Sequence, residues 1–487
     1  MESPIHGLEP QPLWEHFYLL SRIPRCSGNE GGARDYVLKV AERNGLEHKA
    51  DGAGNVVIKK PAATGYEEKP VVVLQGHLDM VCEKNRDTQH DFSRDPLILK
   101  REGDWITANG TTLGSDNGMG VAAALAVLEE KDIKHGPIEA LFTVSEETGL
   151  TGAKEMAPDM LEGRILMNMD SEEDAALFIG CAGGEDSDLS LELETKAPPP
   201  GYRAVQARVG GLKGGHSGLN IHEGRGNAIK LLARFLWKQA PDLDLRLASM
   251  NGGSKLNAIP RDCEAVACVP AQNITRLKDA ATAHDQAYKN EYSMTDPEVL
   301  LSIEEGSFSP PVRVLTASLQ NSLLNLIYSM PHGVISMSQV VPGLVETSTN
   351  LAVVRTGDSR ISILTSHRSS TRTRLTDISD MVCVVGRQAG AEIRQGNGYP
   401  PWTPNPGSPI LSAATSIYHN LFGHEPEVKA IHAGLECAII GDKFPGMDMI
   451  SFGPTISGAH SPDERVQIST VRKFWDFLVA MLKGAES

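Results

Sequence analysis

Residues 138–149 read IEALFTVSEETG. An apolar run climbs to Val144 and, one serine later, meets two adjacent glutamates, Glu146 and Glu147. A solvated turn tolerates such a pair without consequence. A buried strand that finishes on two like charges needs a reason. Working outward, the same form recurs: NVVIKK from 55, VVVLQG from 71 and ILMNMD from 165 are short, continuously apolar runs. That is the pattern of strands covered on both faces of a parallel sheet. Between the runs lies DNGMGVAAALAVLEE, a small-residue helix starting near Asp116, and residues 11–45 read helical through LWEHFYLLSRI and YVLKVAERNG, with Gly45 as a stop. Strands alternating with helices predict an α/β unit with a mainly parallel central sheet.

The texture changes after about residue 186. DLSLELETK and RAVQARVGG alternate as half-exposed strands do, NAIKLLARFLWKQ reads as a helix, and LNAIP, EAVACVP, LAVVRT and RISILTS repeat the alternating theme. Helical stretches fall near 274–292, 314–328 and 376–390. YPPW at 399–402, followed by TPNPGSP, is a proline-rich break. Beyond it HAGLECAII and MDMISFG read as buried strands and VRKFWDFLVAMLK as a closing helix. The expected organisation is therefore a first domain in two segments, 1–186 and 399–487, interrupted by an inserted α+β lid domain at 187–398.

Length and charge narrow the function. A chain of 487 residues exceeds what one core usually supports. The formal net charge of −16 argues against nucleic acid or an anionic membrane as partner, and favours a divalent metal or a substrate carrying a cationic amine. No apolar stretch reaches membrane-spanning length and the N-terminus lacks the pattern of a signal peptide. The seven cysteines are scattered and form no C-x-x-C pair, so they read as reduced thiols in a reducing compartment. A cytoplasmic protein is expected.

The polar residues just past the apolar runs form the candidate site. VVVLQG ends in His77-Leu78-Asp79, the small-residue helix begins at Asp116, IEALFTV ends in Glu146-Glu147, ILMNM ends in Asp170, and ISGAHSPDE near the chain's end offers His460. Open α/β sheets gather ligand sites at the carboxyl ends of their strands, so these groups can converge. Nitrogen and oxygen donors of this kind suit zinc, manganese or cobalt. Each residue has a plainer reading. Asp116 alone could be a helix N-cap, Asp170 a turn residue, and either histidine a hydrogen-bonded bystander. In H-x-D, positions two apart on a strand share a face, so Asp79 can orient His77. Of Glu146 and Glu147, successive residues on extended chain face opposite ways. One can bind metal while the other takes a proton from water as general base.

Taken together, LQGHLDMVCEKN, GTTLGSDNGMG, FTVSEETGLTGA, MNMDSEE, GLKGGHSGLNI, NAIPR, IHAGLECA and SFGPTISGAHSPDE resemble the cytosolic aminoacyl-histidine (non-specific) dipeptidases. These belong to the di-zinc exopeptidase superfamily that also holds carnosinase and aminoacylase. The similarity runs over essentially the whole chain. It implies two divalent ions, one on His77 and Asp170, the other on Glu147 and His460, with Asp116 bridging and the Asp116–Asn117 peptide in cis. It implies Glu146 as general base and Asp79 as partner of the first histidine. In the insertion it implies His216, within GGHSG, as a donor to the tetrahedral oxyanion, and Asn257, Arg368 and Gly434 as substrate-binding residues. Arg368 would take the terminal carboxylate, with Arg372 in TSHRSSTRTR as a competitor. The expected reaction is metal-dependent hydrolysis of unblocked dipeptides, Xaa-His included, by a homodimer. Removal of an acyl group from an N-acyl amino acid on the same scaffold is the alternative.

Overall fold

The computed structural model describes residues 3–306, 312–396 and 398–484. The chain divides into two compact units, one comprising 1–180, 404–430 and 435–487, the other 181–403 and 431–434. The sequence reading puts the joins at 186 and 399, a few residues from these, and does not foresee that Ile431–Gly434 returns to the second unit.

The first unit is built on an eight-stranded sheet in the order Glu47–Ala50, Val56–Lys60, Ile138–Thr143, Val72–His77, Ile165–Asn168, Asp448–Ser451, Ala176–Cys181, Glu427–Ile431. Its four middle strands are parallel: Val72 faces Ile138 on one side and Ile165 on the other, and Asp448 faces Ile165. Every residue of Val72–His77 and Ile138–Thr143 is buried, as the unbroken apolar runs predict. Because the four strands run the same way, His77, Thr143, Asn168 and Ser451 end them on one side of the sheet.

Helix Ser115–Glu129 is buried along nearly its whole length, which its glycines and alanines permit. Helix Gln11–Ser21 packs against it so closely that a Cβ on Gly118 would stand 3.1 Å from the Phe17 ring. A single apolar core joins these helices to the sheet and to the helices Pro409–Phe422 and Ile468–Gly484.

One run departs from expectation. HAGLECAII forms no strand: Glu436–Lys443 is a helix, while MDMISFG does supply the strand Asp448–Ser451. A short buried apolar run carries no period that separates the two forms. The cysteines depart as well. Cys26 and Cys82 are disulfide-bonded, with Cα atoms 5.7 Å apart, and the other five are buried and outside any disulfide. Residue 26 reaches that neighbourhood through a parallel bridge to Met80, a tertiary contact that cysteine spacing does not register.

In the second unit, a nine-stranded sheet runs Leu300–Glu305, Tyr202–Gly210, Cys263–Pro270, Arg246–Gly252, Val345–Thr356, Arg360–Ser369, Gly183–Glu192, Glu392–Gln395, with Gly333–Met337 also pairing Val345–Thr356. Its pairings among the described residues are antiparallel. Burial alternates along Tyr202–Gly210, with Val205, Ala207 and Val209 inward, matching the half-exposed pattern of the sequence. Helix Ala228–Leu243 begins where Asn227 caps it, the amide oxygen accepting from the N–H of Ile229 and Lys230. No described helix is long and apolar enough to cross a membrane.

His367 is fully buried in this sheet, its Nδ1 2.9 Å from Thr349 Oγ1 and its Nε2 3.0 Å from Ser187 Oγ. Burial lowers its pKa from 6.5 to about 4. A histidine kept neutral by burial stabilises fully above its unfolded pKa, and that contribution is lost as acid charges the unfolded chain. Between pH 6.5 and 4, His367 alone should cost the second unit up to about 3 kcal/mol. Urea unfolding across that range should show a steeper fall for the native chain than for His367→Asn. Parallel slopes would contradict this.

Candidate functional site

At the carboxyl end of the parallel strands, three histidine-and-carboxylate groups come within metal-binding reach: His77, Asp116 and Asp170; Asp116, Glu147 and His460; and His77, Glu146 and Glu147. In each group the potential ligand atoms lie within 4.8 Å of one another. The centre is Asp116. Its Oδ1 lies 3.0 Å from His77 Nε2 and its Oδ2 lies 3.1 Å from His460 Nε2. Asp170 Oδ1 stands 3.2 Å from the same His77 nitrogen, and Glu147 Oε2 stands 3.0 Å from the His460 nitrogen. One carboxylate thus faces two imidazoles, each with a further carboxylate beside it.

Local structure explains these positions. The Asp116–Asn117 peptide is cis, as the resemblance implies. The Asn117 amide then donates to Met169 O at 2.8 Å and to the Asp170 carboxylate. Gly76, just before His77, admits this amide: a Cβ there would stand 2.4 Å from Asn117 Oδ1. Asp79 does more than the sequence suggests. His77 Nδ1 lies nearer its main-chain oxygen, at 3.1 Å, than its carboxylate, at 3.4 Å. The Asp79 carboxylate accepts from the N–H of Glu146 and Glu147 at 3.0 and 3.1 Å and from Ser27 Oγ at 2.7 Å. It therefore holds the main chain of the glutamate pair as well as facing the histidine.

The electrostatics are those of a site built for cations. Burial pushes the Glu146 carboxyl well above its usual range, and Asp170, Glu436 and Glu147 push the same way against His77. Asp170 rises to about 6, mainly by burial. Burial would raise Asp116 too, but hydrogen bonds from His460 and His77 outweigh it and keep that carboxyl low. His460, bonded to Asp116 and Glu147, is pushed up to about 11. Protons on the imidazoles thus occupy the place of positive charge, and a divalent ion would compete with them for the same nitrogens. Glu147 Oε1 is buried without a protein hydrogen-bond partner, an orphaned oxygen that an ion would satisfy. The donor set of imidazole and carboxylate fits zinc, manganese or cobalt.

The remaining candidates lie in the second unit, and they too gather. His216 pairs with Ala258 across a two-stranded ribbon, and Asn257 O accepts from Ser217 N at 2.8 Å. Gly218 is flanked by His216 and Arg368: a Cβ there would stand 3.1 Å from His216 Cε1 and 3.3 Å from Arg368 Nε. Arg368 Nη1 donates to Tyr399 Oη at 3.0 Å, and the Tyr399 ring lies against Gly434, 2.9 Å from where a Cβ would be. Arg372 instead opens helix Arg372–Gln388 with an exposed side chain, so Arg368 is the guanidinium grouped with His216.

A family model for peptidase family M20/M25/M40 matches residues 73–484. The chain belongs to that family. It is 41% identical over 481 residues to the cytosol non-specific dipeptidase of Escherichia coli K12, covering 99% of each chain. The crystal structure of aminoacylhistidine dipeptidase from Vibrio alginolyticus superposes with a TM-score of 0.91 at 42% identity, over 100% of this chain and 99% of that one. Aminopeptidase PepT from Bacillus cereus shares the fold at a TM-score of 0.56 and 15% identity, over 98% and 99% of the two chains. The α/β class with a mainly parallel sheet is thus the architecture of this M20/M25/M40 peptidase.

Sequence reasoning missed three residues that hold the site together. Arg25 is buried and donates to Leu78 O and Asp79 O, both at 2.9 Å, and to Gly114 O. Glu436 accepts from Gln75 Nε2 and Thr143 Oγ1, both at 2.6 Å, and burial lifts it to about 7. Glu464 accepts from the main-chain N–H groups of Ser115 and of Asp116 itself. Nothing in the spacing around Arg25 marks it. Glu436 and Glu464 do stand in HAGLE and HSPDE, where a carboxylate beside apolar sequence is the available signal.

Without an ion the clustered carboxylates repel one another, so binding should stabilise the first unit. Zinc or manganese at about 100 times its Kd is expected to add roughly 2.7 kcal/mol to metal-free protein, read as a rise in Tm. Asp116→Ala should lose most of that rise. An ion-independent Tm in the native chain would contradict the metal reading.

Proposed function

We propose that this peptidase hydrolyses unblocked dipeptides, Xaa-His among them, at a two-ion site in which Glu146 is the general base. The observation that carries the reading is Asp116, with one histidine on each oxygen and a further carboxylate beside each. The full-length likeness to two proteins named as dipeptidases supports the substrate class.

In this reading His77 and Asp170 hold one ion, Glu147 and His460 the other, and Asp116 both. Two divalent ions, zinc by the donor set with manganese or cobalt as substitutes, would polarise the scissile carbonyl and acidify the attacking water. Glu146, half-buried and raised above the usual carboxylate range, takes the proton of that water. Its main-chain N–H is pinned by Asp79, which keeps the carboxyl beside its neighbours. As the new carbon–oxygen bond forms and the carbon–nitrogen bond breaks, Glu146 passes the proton to the leaving amine. To His216 we assign donation to the carbonyl oxygen as it becomes an oxyanion, and to Arg368 the dipeptide's carboxylate, with Asn257 and Gly434 as further contacts. A cytoplasmic homodimer is the form proposed, on the Escherichia coli relative's name as a cytosol dipeptidase and on the commonness of two-fold dimers.

Turnover on a mixed panel tests the substrate class. β-Alanyl-histidine and glycyl-histidine should be cleaved while N-acetyl and N-succinyl amino acids remain intact. The reverse pattern would overturn the substrate assignment in favour of a deacylase. For the base, Glu146→Gln is expected to lower kcat by roughly 10²–10⁴-fold with metal content unchanged. A variant that keeps native kcat would remove Glu146 from the mechanism.

A further inference from the structure

His460 and Asp116 are 344 residues apart, yet their facing atoms lie 3.1 Å from each other. His460 sits in a turn, not on a strand end, and takes a left-handed φ of 62°. Something must hold both segments. Glu464, four residues on and 2% exposed, is placed to do so. Its Oε1 accepts from Ser115 N at 2.7 Å, Ser115 Oγ at 2.6 Å and Asp116 N at 3.3 Å. Its Oε2 accepts from Leu113 N at 2.8 Å and Gly114 N at 3.0 Å. One carboxylate thereby gathers donors from four consecutive residues, the last of them Asp116.

The other end of Glu464 is equally fixed. Its N–H donates to Ser461 O at 3.0 Å, and Ser461 in turn donates to Gly458 O from both its N–H, at 3.2 Å, and its hydroxyl, at 2.7 Å. Its carbonyl accepts from Thr107 Oγ1 at 3.2 Å, and the next residues, Arg465–Gln467, pair with Trp105–Thr107. The turn carrying His460 is closed on itself and docked through Glu464. His77 and Asp170, by contrast, follow directly from the parallel strands Val72–His77 and Ile165–Asn168.

We propose that Glu464 is a positioning residue that sets the distance between Asp116 and His460, and so governs the ion held by Glu147 and His460 more than the ion held by His77 and Asp170. This rests on the two-ion reading above. A glutamine at 464 keeps the size but offers one accepting oxygen, and its NH₂ would face main-chain N–H groups. The segment 113–116 must then shift relative to the His460 turn.

The test counts ions. Metal-free protein is titrated with Mn²⁺, and uptake is followed by calorimetry and by the electron paramagnetic resonance of the free ion. The native chain should take two ions. Glu464→Gln should keep the first within a few-fold of native affinity and weaken the second by about 10–100-fold. Glu139→Gln is the matched control: Glu139 is also buried and accepts from Glu162 N and Gly163 N, but at the start of its strand. It should leave both affinities unchanged. Ser115→Ala, which deletes one donor of the five, should weaken the second ion in the same direction by a few-fold, and it decides the matter if Glu464→Gln does not fold. Two ions bound with native affinities by the folded variants would overturn the assignment of Glu464, as would equal loss of both. A native chain that binds a single ion would overturn the two-ion reading itself.

Discussion

Asp116 stands between two imidazoles, one oxygen to each, and the first unit is arranged around keeping it there. A half-buried carboxylate with Asp170 and Glu147 close by is unstable by itself, because like charges in a poorly hydrated place repel. Positive charge must enter, as protons on His77 and His460 or as divalent ions. The competition between the two ties the chemistry of the site to its occupancy.

The surrounding scaffold answers that repulsion with fixed dipoles. Asp79 receives two main-chain N–H groups from the glutamate pair, and Glu464 receives four from the turn before and at Asp116. Arg25 spends its guanidinium on three main-chain carbonyls, two of them next to His77 and the third at Gly114. Glu436 ties Gln75 to Thr143 beneath the strand ends that carry His77 and Glu146. Each of these groups grips backbone or a neighbouring strand, so the candidate ligands are aimed before any ion arrives. Preorganisation of this kind is what a site needs if charge is to be stabilised only as it develops in the reaction.

Much of this was legible in the sequence because parallel strands announce themselves. Unbroken apolar runs ending in His77, Glu146-Glu147 and Asp170 can be read as strand ends on one side of a sheet, and the described strands end there. The alternating runs after residue 186 likewise match strands with one face buried. What stayed hidden is what depends on long-range contact. Arg25 lies in a loop after the first helix, and its partners are main-chain oxygens that no residue type reveals. The Cys26–Cys82 bond follows from the same loop returning beside Met80. HAGLECAII misled because a buried helix of eight residues shows the same apolar texture as a strand. The H-x-D spacing marks Asp79 as a partner for His77, but its hold on the glutamate main chain joins two strand ends distant in sequence, which no spacing registers.

The proposed mechanism depends on Asp116 serving two ions at once. Anomalous scattering from crystals of zinc-loaded protein, measured on both sides of the zinc edge, addresses that directly. Two peaks are predicted about 3.5–4 Å apart, one beside His77 and Asp170 and one beside Glu147 and His460, with an Asp116 oxygen on each. A single peak, or two that do not share Asp116, would contradict it.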